Sequence, residues 1–129
     1  MIKLSKRLEV VASYINDNVK LVDIGCDHGL LDIYLAKNRK NITIIASDIN
    51  ENALNNAIFN IKKYKLENII NYRISNGLDN ILKEEIDTIV ISGMGAHTIV
   101  GILYKNMKKL EYVKDIIIQS NNNIDFLRY

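Results

Sequence analysis

The chain has 129 residues, 48% of them hydrophobic, which suits one packed domain and excludes a disordered segment. Seventeen Lys and Arg against fifteen Asp and Glu leave a formal charge of +2, too small to demand a nucleic-acid partner and no bar to one that docks on a local basic patch. A single cysteine excludes an internal disulfide, and no stretch reads as a secretory leader or a membrane span, so a cytoplasmic protein is expected.

Leu4, Leu8, Val11, Ala12 and Ile15 recur at helical spacing, with Lys3, Lys6, Arg7 and Glu9 off that stripe, so the chain opens with an amphipathic helix that residues 16–20 end. Five short apolar runs rich in β-branched residues then predict buried strands at 21–24, 42–47, 69–74, 86–92 and 115–119. Helical segments separate them: 30–38, a second striped by Ala53, Leu54, Ala57, Ile58 and Ile61, a short third at 78–85, and a fourth at 98–109 carrying Ile99, Ile102, Leu103 and Met107. Strands alternating with helices predict right-handed βαβ units in one parallel sheet covered on both faces, a doubly wound, Rossmann-like α/β fold. No repeat or linker interrupts it, and residues 1–129 read as a single domain.

Such sheets bind ligands beyond the carboxyl ends of their strands, where strand order reverses. The first strand runs into Val22-Asp23-Ile24-Gly25-Cys26-Asp27-His28-Gly29-Leu30-Leu31. Gly25 permits a tight turn and close approach of backbone to ligand, Gly29 lets the next helix pack near the strand, and the helix start offers unpaired N–H groups. The plainer reading is a glycine turn and nothing more. Asp48 closes the second strand about twenty residues on, where an acid can accept both hydroxyls of a ribose, or else cap the helix near Glu51. Asn76, before Gly77, follows the third strand, where it can meet an adenine edge or simply make an Asn-Gly turn. Three such positions at three successive strand ends point to a nucleoside site.

Charge selects the nucleoside. A dinucleotide fold uses G-x-G-x-x-G so that a pyrophosphate lies against bare backbone, but its second glycine is Asp27 here. A carboxylate repels a pyrophosphate, whereas S-adenosylmethionine carries a sulfonium and an ammonium that Asp23 and Asp27 attract. The donor site is thus expected to draw Asp23, Gly25, Asp27 and Gly29 from the first turn, Asp48 and Ile49 from the second strand, Asn76 and Gly77 from the third, and Gly93 from the fourth. Gly93, Met94 and Gly95 close that fourth strand beside the expected sulfonium. They form either a shelf for a base with Met94 as a soft wall, or a turn with Met94 filling core space. No His, Cys and carboxylate cluster has metal-ligand spacing, so no metal is expected.

The blocks "LSKRLEVVASYI", "VDIGCDHGLL", "SNGLDNI", "ISGMGAHTI" and "IIIQSNNNIDFLRY" resemble the successive motifs of the bacterial tRNA adenine-22 N1-methyltransferases, the TrmK family, from Leu4 to the last residue. The resemblance implies a class I enzyme that takes a methyl group from S-adenosylmethionine, leaves S-adenosylhomocysteine, and methylates N1 of an adenosine in tRNA. Asn76 stands where that family usually has Asp, and Gln119-Ser120-Asn121 where it has Gln-Pro-Asn. On this reading Asp27 grips the methionyl ammonium or orients the adenine, its alternative being an N-cap of the following helix. His28 bonds the target or turns the chain, and Arg7 contacts a substrate phosphate or base or is simply solvated. Cys26 reads as a small buried side chain. For stacking a base, Tyr34 and Tyr129 are the available aromatics. The family adds two strands and a helical C-terminal part after the fifth strand, so a fragment or shortened member is expected, with a helix near 124–129 and an open sheet edge that favours self-association. Other readings on the same fold are a small-molecule methyltransferase, a nucleotide-dependent oxidoreductase or a catalytically silent donor-binding fragment.

Overall fold

Residues 2–120 and 126–128 are described by the computed structural model. All five predicted strands form: β1 (Lys20–Ile24), β2 (Thr43–Asp48), β3 (Ile70–Ile74), β4 (Thr88–Met94) and β5 (Asp115–Ser120). They pair in parallel in the order β3-β2-β1-β4-β5, and a sixth strand, β6 (Phe126–Arg128), runs antiparallel along β5. Helices α1 (Lys6–Ser13), α2 (Leu30–Asn38), α3 (Glu51–Lys63) and α4 (Ala96–Lys105) join them. Strand order reverses between β1 and β4, so the crevice above those two strands is the place this topology offers a ligand.

Alternation along the strands builds two cores. Leu21, Ile44, Ala46, Ile70, Val90 and Ile117 face α1, α2 and α3 through Val11, Leu31, Leu35, Leu54 and Ile61. Val22, Ile24, Ile45, Ile89, Ile91 and Ile118 face the opposite way, onto Ile99 of α4 and onto Leu78, Ile81 and Ile86. A sheet buried on both faces explains why the strands read as unbroken apolar runs. None of the described helices is long and apolar enough to cross a membrane.

Three local expectations differ from the structure. The opening stripe is longer than its helix: Ser5 caps α1 by accepting the Leu8 N–H at 3.3 Å, and Leu4 and Ile15 are buried from flanking segments. Residues 78–85 form turns and one 3₁₀ turn (Lys83–Glu85) instead of a helix. There the Ser75 hydroxyl accepts the Asn80 N–H, and the Glu85 carboxylate takes the Leu82 N–H and both guanidinium nitrogens of Arg73, so side chains occupy bonds a helix needs. Where a helix was expected near the end of the chain, β6 occupies the edge of β5, because an unpaired strand edge is a template for any neighbouring backbone. The edge expected to be open is therefore covered from Ile117 to Gln119.

Candidate functional site

β1 delivers the chain into the crevice through two bonds to one carbonyl. The N–H groups of Gly25 and Cys26 both donate to Ser47 O at 2.9 Å, which fixes the turn against β2. Gly25, Asp27 and Gly29 all take positive φ, at 79°, 52° and 73°. For Asp27 this is a left-handed conformation that a non-glycine side chain adopts only under constraint, and its N–H is held by Asp48 Oδ2 at 3.2 Å. Asp48 Oδ1 accepts the Asn50 N–H at 2.9 Å, so one buried carboxylate ties the turns after β1 and β2 together.

These turns open onto a cavity of about 390 Å³ between β1 and β4. Asp23, Gly25, Asp27, His28, Asp48, Gly93, Met94 and, from α1, Arg7 all line it. Sequence positions as distant as Arg7 and Met94 are thus brought to one wall-to-wall space. Asn76, Gly77 and Ile49 do not line that cavity. They sit at the carboxyl ends of β3 and β2, where Asn76 and Ile49 are exposed, Ile49 by 64% although it directly follows Asp48.

Several of the plainer readings can now be decided. The N-cap of α3 is Asn50, whose side chain accepts the Ala53 N–H at 3.1 Å, so Asp48 is not its cap. The N-cap of α2 is Gly29 with no side-chain bond, so Asp27 is not that cap; its side chain stays exposed, with Oδ1 3.9 Å from His28 Nε2. Gly29 serves packing, but against α3 more than the strand: a Cβ there would lie 3.2 Å from Ala57 Cβ. Gly77 likewise leaves room for α4, since a Cβ would meet Ile102 at 3.0 Å. At Gly25 the space a Cβ would take is filled by the Met94 methyl, 2.7 Å from that point, so Met94 reaches across the crevice onto the first turn. Cys26 is buried, and burial, then the carboxylates of Asp32, Asp23 and Asp48, push its thiol far above its ordinary range. Tyr34 lies away from this cavity beside Arg39, and Tyr129 and Asn121 lie outside the described residues.

Electrostatically the floor is acidic. Burial pushes the Asp23 carboxyl up to about 6, with Asp48 and Asp27 adding to the rise, and Asp23 Oδ1 has no hydrogen-bond partner. A buried oxygen in this state is satisfied by a proton, a cation or a donor and not by a phosphate.

One residue that the sequence reading named only as part of a motif has a definite place in the structure. Gln119, buried in β5, accepts the Gly93 N–H through Oε1 at 2.9 Å and donates through Nε2 to Ser120 O at 2.8 Å. The register of β4 on β5 skips Gly93, and Gln119 fills the bond that this bulge removes. The motif and the strand end marked Gln119 in the sequence, but neither tied it to Gly93.

With this geometry in view, the chain compares with known proteins as follows. A family model described as Methyltransferase domain matches residues 4–129. A tRNA (adenine(22)-N(1))-methyltransferase of Bacillus subtilis is 38% identical over 120 residues, which cover 93% of this chain and 50% of that one. The crystal structure of the B. subtilis M1A22 tRNA methyltransferase TrmK superposes with a TM-score of 0.88 at 37% identity, over 94% of this chain and 52% of that one. M. capricolum TrmK, solved with the cofactor product S-adenosyl-homocysteine, gives 0.82 at 38% identity over 94% and 54%. The chain spans about half the length of these relatives.

Proposed function

The chain belongs to the methyltransferase-domain family, and from that membership we propose that it is the S-adenosylmethionine-binding catalytic domain of a tRNA (adenine-N1)-methyltransferase, one domain throughout residues 1–129. The observation that carries the reading is the acidic floor at the strand-order reversal: Asp23 with an unsatisfied buried oxygen, Asp48 across the turn, and Asp27 where a pyrophosphate site needs a glycine. Those residues fit a cationic donor and oppose NAD. The two relatives named above supply the substrate, tRNA, and the donor's product, S-adenosyl-homocysteine. With tRNA as substrate and no membrane-crossing helix among the described residues, the place of action is the cytoplasm.

When bound, the donor supplies a methyl carbon on a sulfonium, which the N1 lone pair of adenine takes as the C–S bond breaks and its electron pair returns to sulfur. N1 needs no base to attack, so the residues serve to position and to balance charge. Asp48 accepts from the ribose hydroxyls and Ile49 offers its exposed side chain to one face of the donor's adenine, with Asn76 and Gly77 at its edge. Asp23, Gly25, Gly29 and Gly93 shape the methionyl end. Asp27, exposed and held by its backbone, accepts from N6–H of the target as N1 gains charge; His28 bonds the same base, Met94 is its soft wall, and Arg7 takes an adjoining phosphate. The target base leaves its stack to arrive there.

Calorimetric titration with S-adenosylmethionine, with NAD as control, tests the first half, and transfer of a labelled methyl group to an unmodified tRNA transcript, read as N1-methyladenosine, tests the second. Saturable donor binding without NAD binding, followed by methylation, is the expected result. NAD binding alone overturns the donor assignment, and donor binding without transfer to any tRNA overturns the substrate.

The same reading includes a second copy of this chain along the outer sheet edge, where β6 is three residues long. Sedimentation velocity should show a concentration-dependent dimer; a monomer across the whole range removes that partner.

A further inference from the structure

Asp32 has no place in the reading above, yet it is the most secluded acid among the described residues, fully buried in the first turn of α2. Neither of its carboxyl oxygens meets a hydrogen-bond donor, and neither does Oδ1 of Asp23, which is 2% exposed and lines the cavity. Three buried carboxyl oxygens without donors cannot belong to two free carboxylates, because each ion would forfeit its hydration for nothing. The two side chains interact directly, and a proton held between them satisfies both.

We propose that Asp32 is a positioning residue of the donor site, sharing one proton with Asp23 so that this pair carries a single negative charge until a cation enters. The proposal rests on the donor-site reading for its ligand, though the shared proton itself does not. Arrival of the sulfonium donor favours the doubly ionised pair, and the proton leaves to solvent. A neutral or anionic nucleoside provides no such compensation, so the pair discriminates by ligand charge.

The surroundings are consistent with this. Burial is the largest influence on both acids, raising Asp32 well above the ordinary carboxylate range. Asp48 from β2 and Asp27 from the turn add negative charge to Asp23, and Cys26 beside them stays a neutral thiol. From α1, Arg7 is the cation lining the cavity, with His28 a second when protonated. α3 and β3 bring apolar side chains to this layer, Leu54, Ala57 and Ile70, and β4 brings Val90.

Carboxyl-labelled aspartate in the ligand-free chain, followed by carbon NMR against pH, tests the pair directly. Two mutually perturbed carboxyls are expected, Asp23 titrating near 6 and its partner higher. In Asp32→Asn, whose amide can donate to Asp23, the Asp23 midpoint should fall by about one unit or more. An ordinary Asp23 midpoint in the unaltered chain, or an unchanged one in the variant, overturns the proposal. Should the variant not fold, the midpoints of the unaltered chain decide alone. Donor affinity adds a second readout: between pH ~5 and ~7 it should rise by at least about tenfold in the unaltered chain and by less than about threefold in Asp32→Asn. Affinity equally flat in both refutes the coupling. Carboxyls that titrate as expected in a chain that binds no donor uphold the shared proton and refute the donor site, which separates the two failures.

Discussion

Asp48→Ala should lower the affinity of the chain for S-adenosylmethionine by at least about 100-fold, as two hydrogen bonds to an ionised acceptor contribute roughly 1.5–3 kcal/mol each. The loss has two sources that one control separates. Asp48 holds the Asp27 N–H at 3.2 Å and the Asn50 N–H at 2.9 Å, so its removal frees the left-handed turn at Asp27 as well as deleting the acceptor proposed for a ribose. Asp48→Asn keeps one acceptor oxygen and similar volume. If the carboxylate acts mainly on the ligand's two hydroxyls, the asparagine variant binds nearly as poorly as the alanine one. If it acts mainly on the turn, asparagine, which still accepts one of the two N–H groups, recovers part of the affinity. Calorimetry reads both, and an alanine variant that binds within threefold of the unaltered chain removes Asp48 from the site altogether.

The contrast between Asp48 and Gln119 shows what kind of information a linear sequence holds. The placement of Asp48 is legible because it follows from a repeating pattern: an apolar strand ends, and whatever polar residue stands there faces the crevice. The placement of Asp23 and Asp27 at the cavity was legible for the same reason, and the five strands because a sheet covered on both faces leaves unbroken β-branched runs. Gln119 is 26 residues from Gly93, and nothing near either announces that one will complete the other's hydrogen bond. Met94 over Gly25 and Asp32 against Asp23 are likewise contacts across elements, fixed by the register of β4 and the rotation of α2. Local competition explains a different class of miss. Asn50 and Asp48 both have cap-forming side chains next to α3, and only the actual backbone path decides that the asparagine takes the helix and the aspartate the two turns. In 78–85 the apolar spacing suits a helix, but Ser75 and Glu85 take the backbone donors first.

Gly29→Ala should be among the most destabilising single-methyl changes in the chain, at about 2–4 kcal/mol, because it combines a left-handed backbone with a closed contact. At φ 73° an added Cβ is disfavoured by its own carbonyl, and the same atom would stand 3.2 Å from Ala57 Cβ and 3.4 Å from Ala57 Cα. Neither neighbour is a flexible side-chain end. α3 must move as a body or the first turn of α2 must distort, and either displaces Asp48 or Asp27 from the cavity. Thermal unfolding should therefore fall by roughly 10 °C for a domain of this size, with donor affinity falling as well. Ala57→Gly relieves the contact but not the backbone strain, at its own cost of about 1 kcal/mol in mid-helix. In that background Gly29→Ala should cost at least about 1 kcal/mol less than it does alone, a coupling that distant, independent sites do not show. Equal costs in both backgrounds would mean that the glycine is needed for its φ alone and that α2 and α3 are not locked together through this pair.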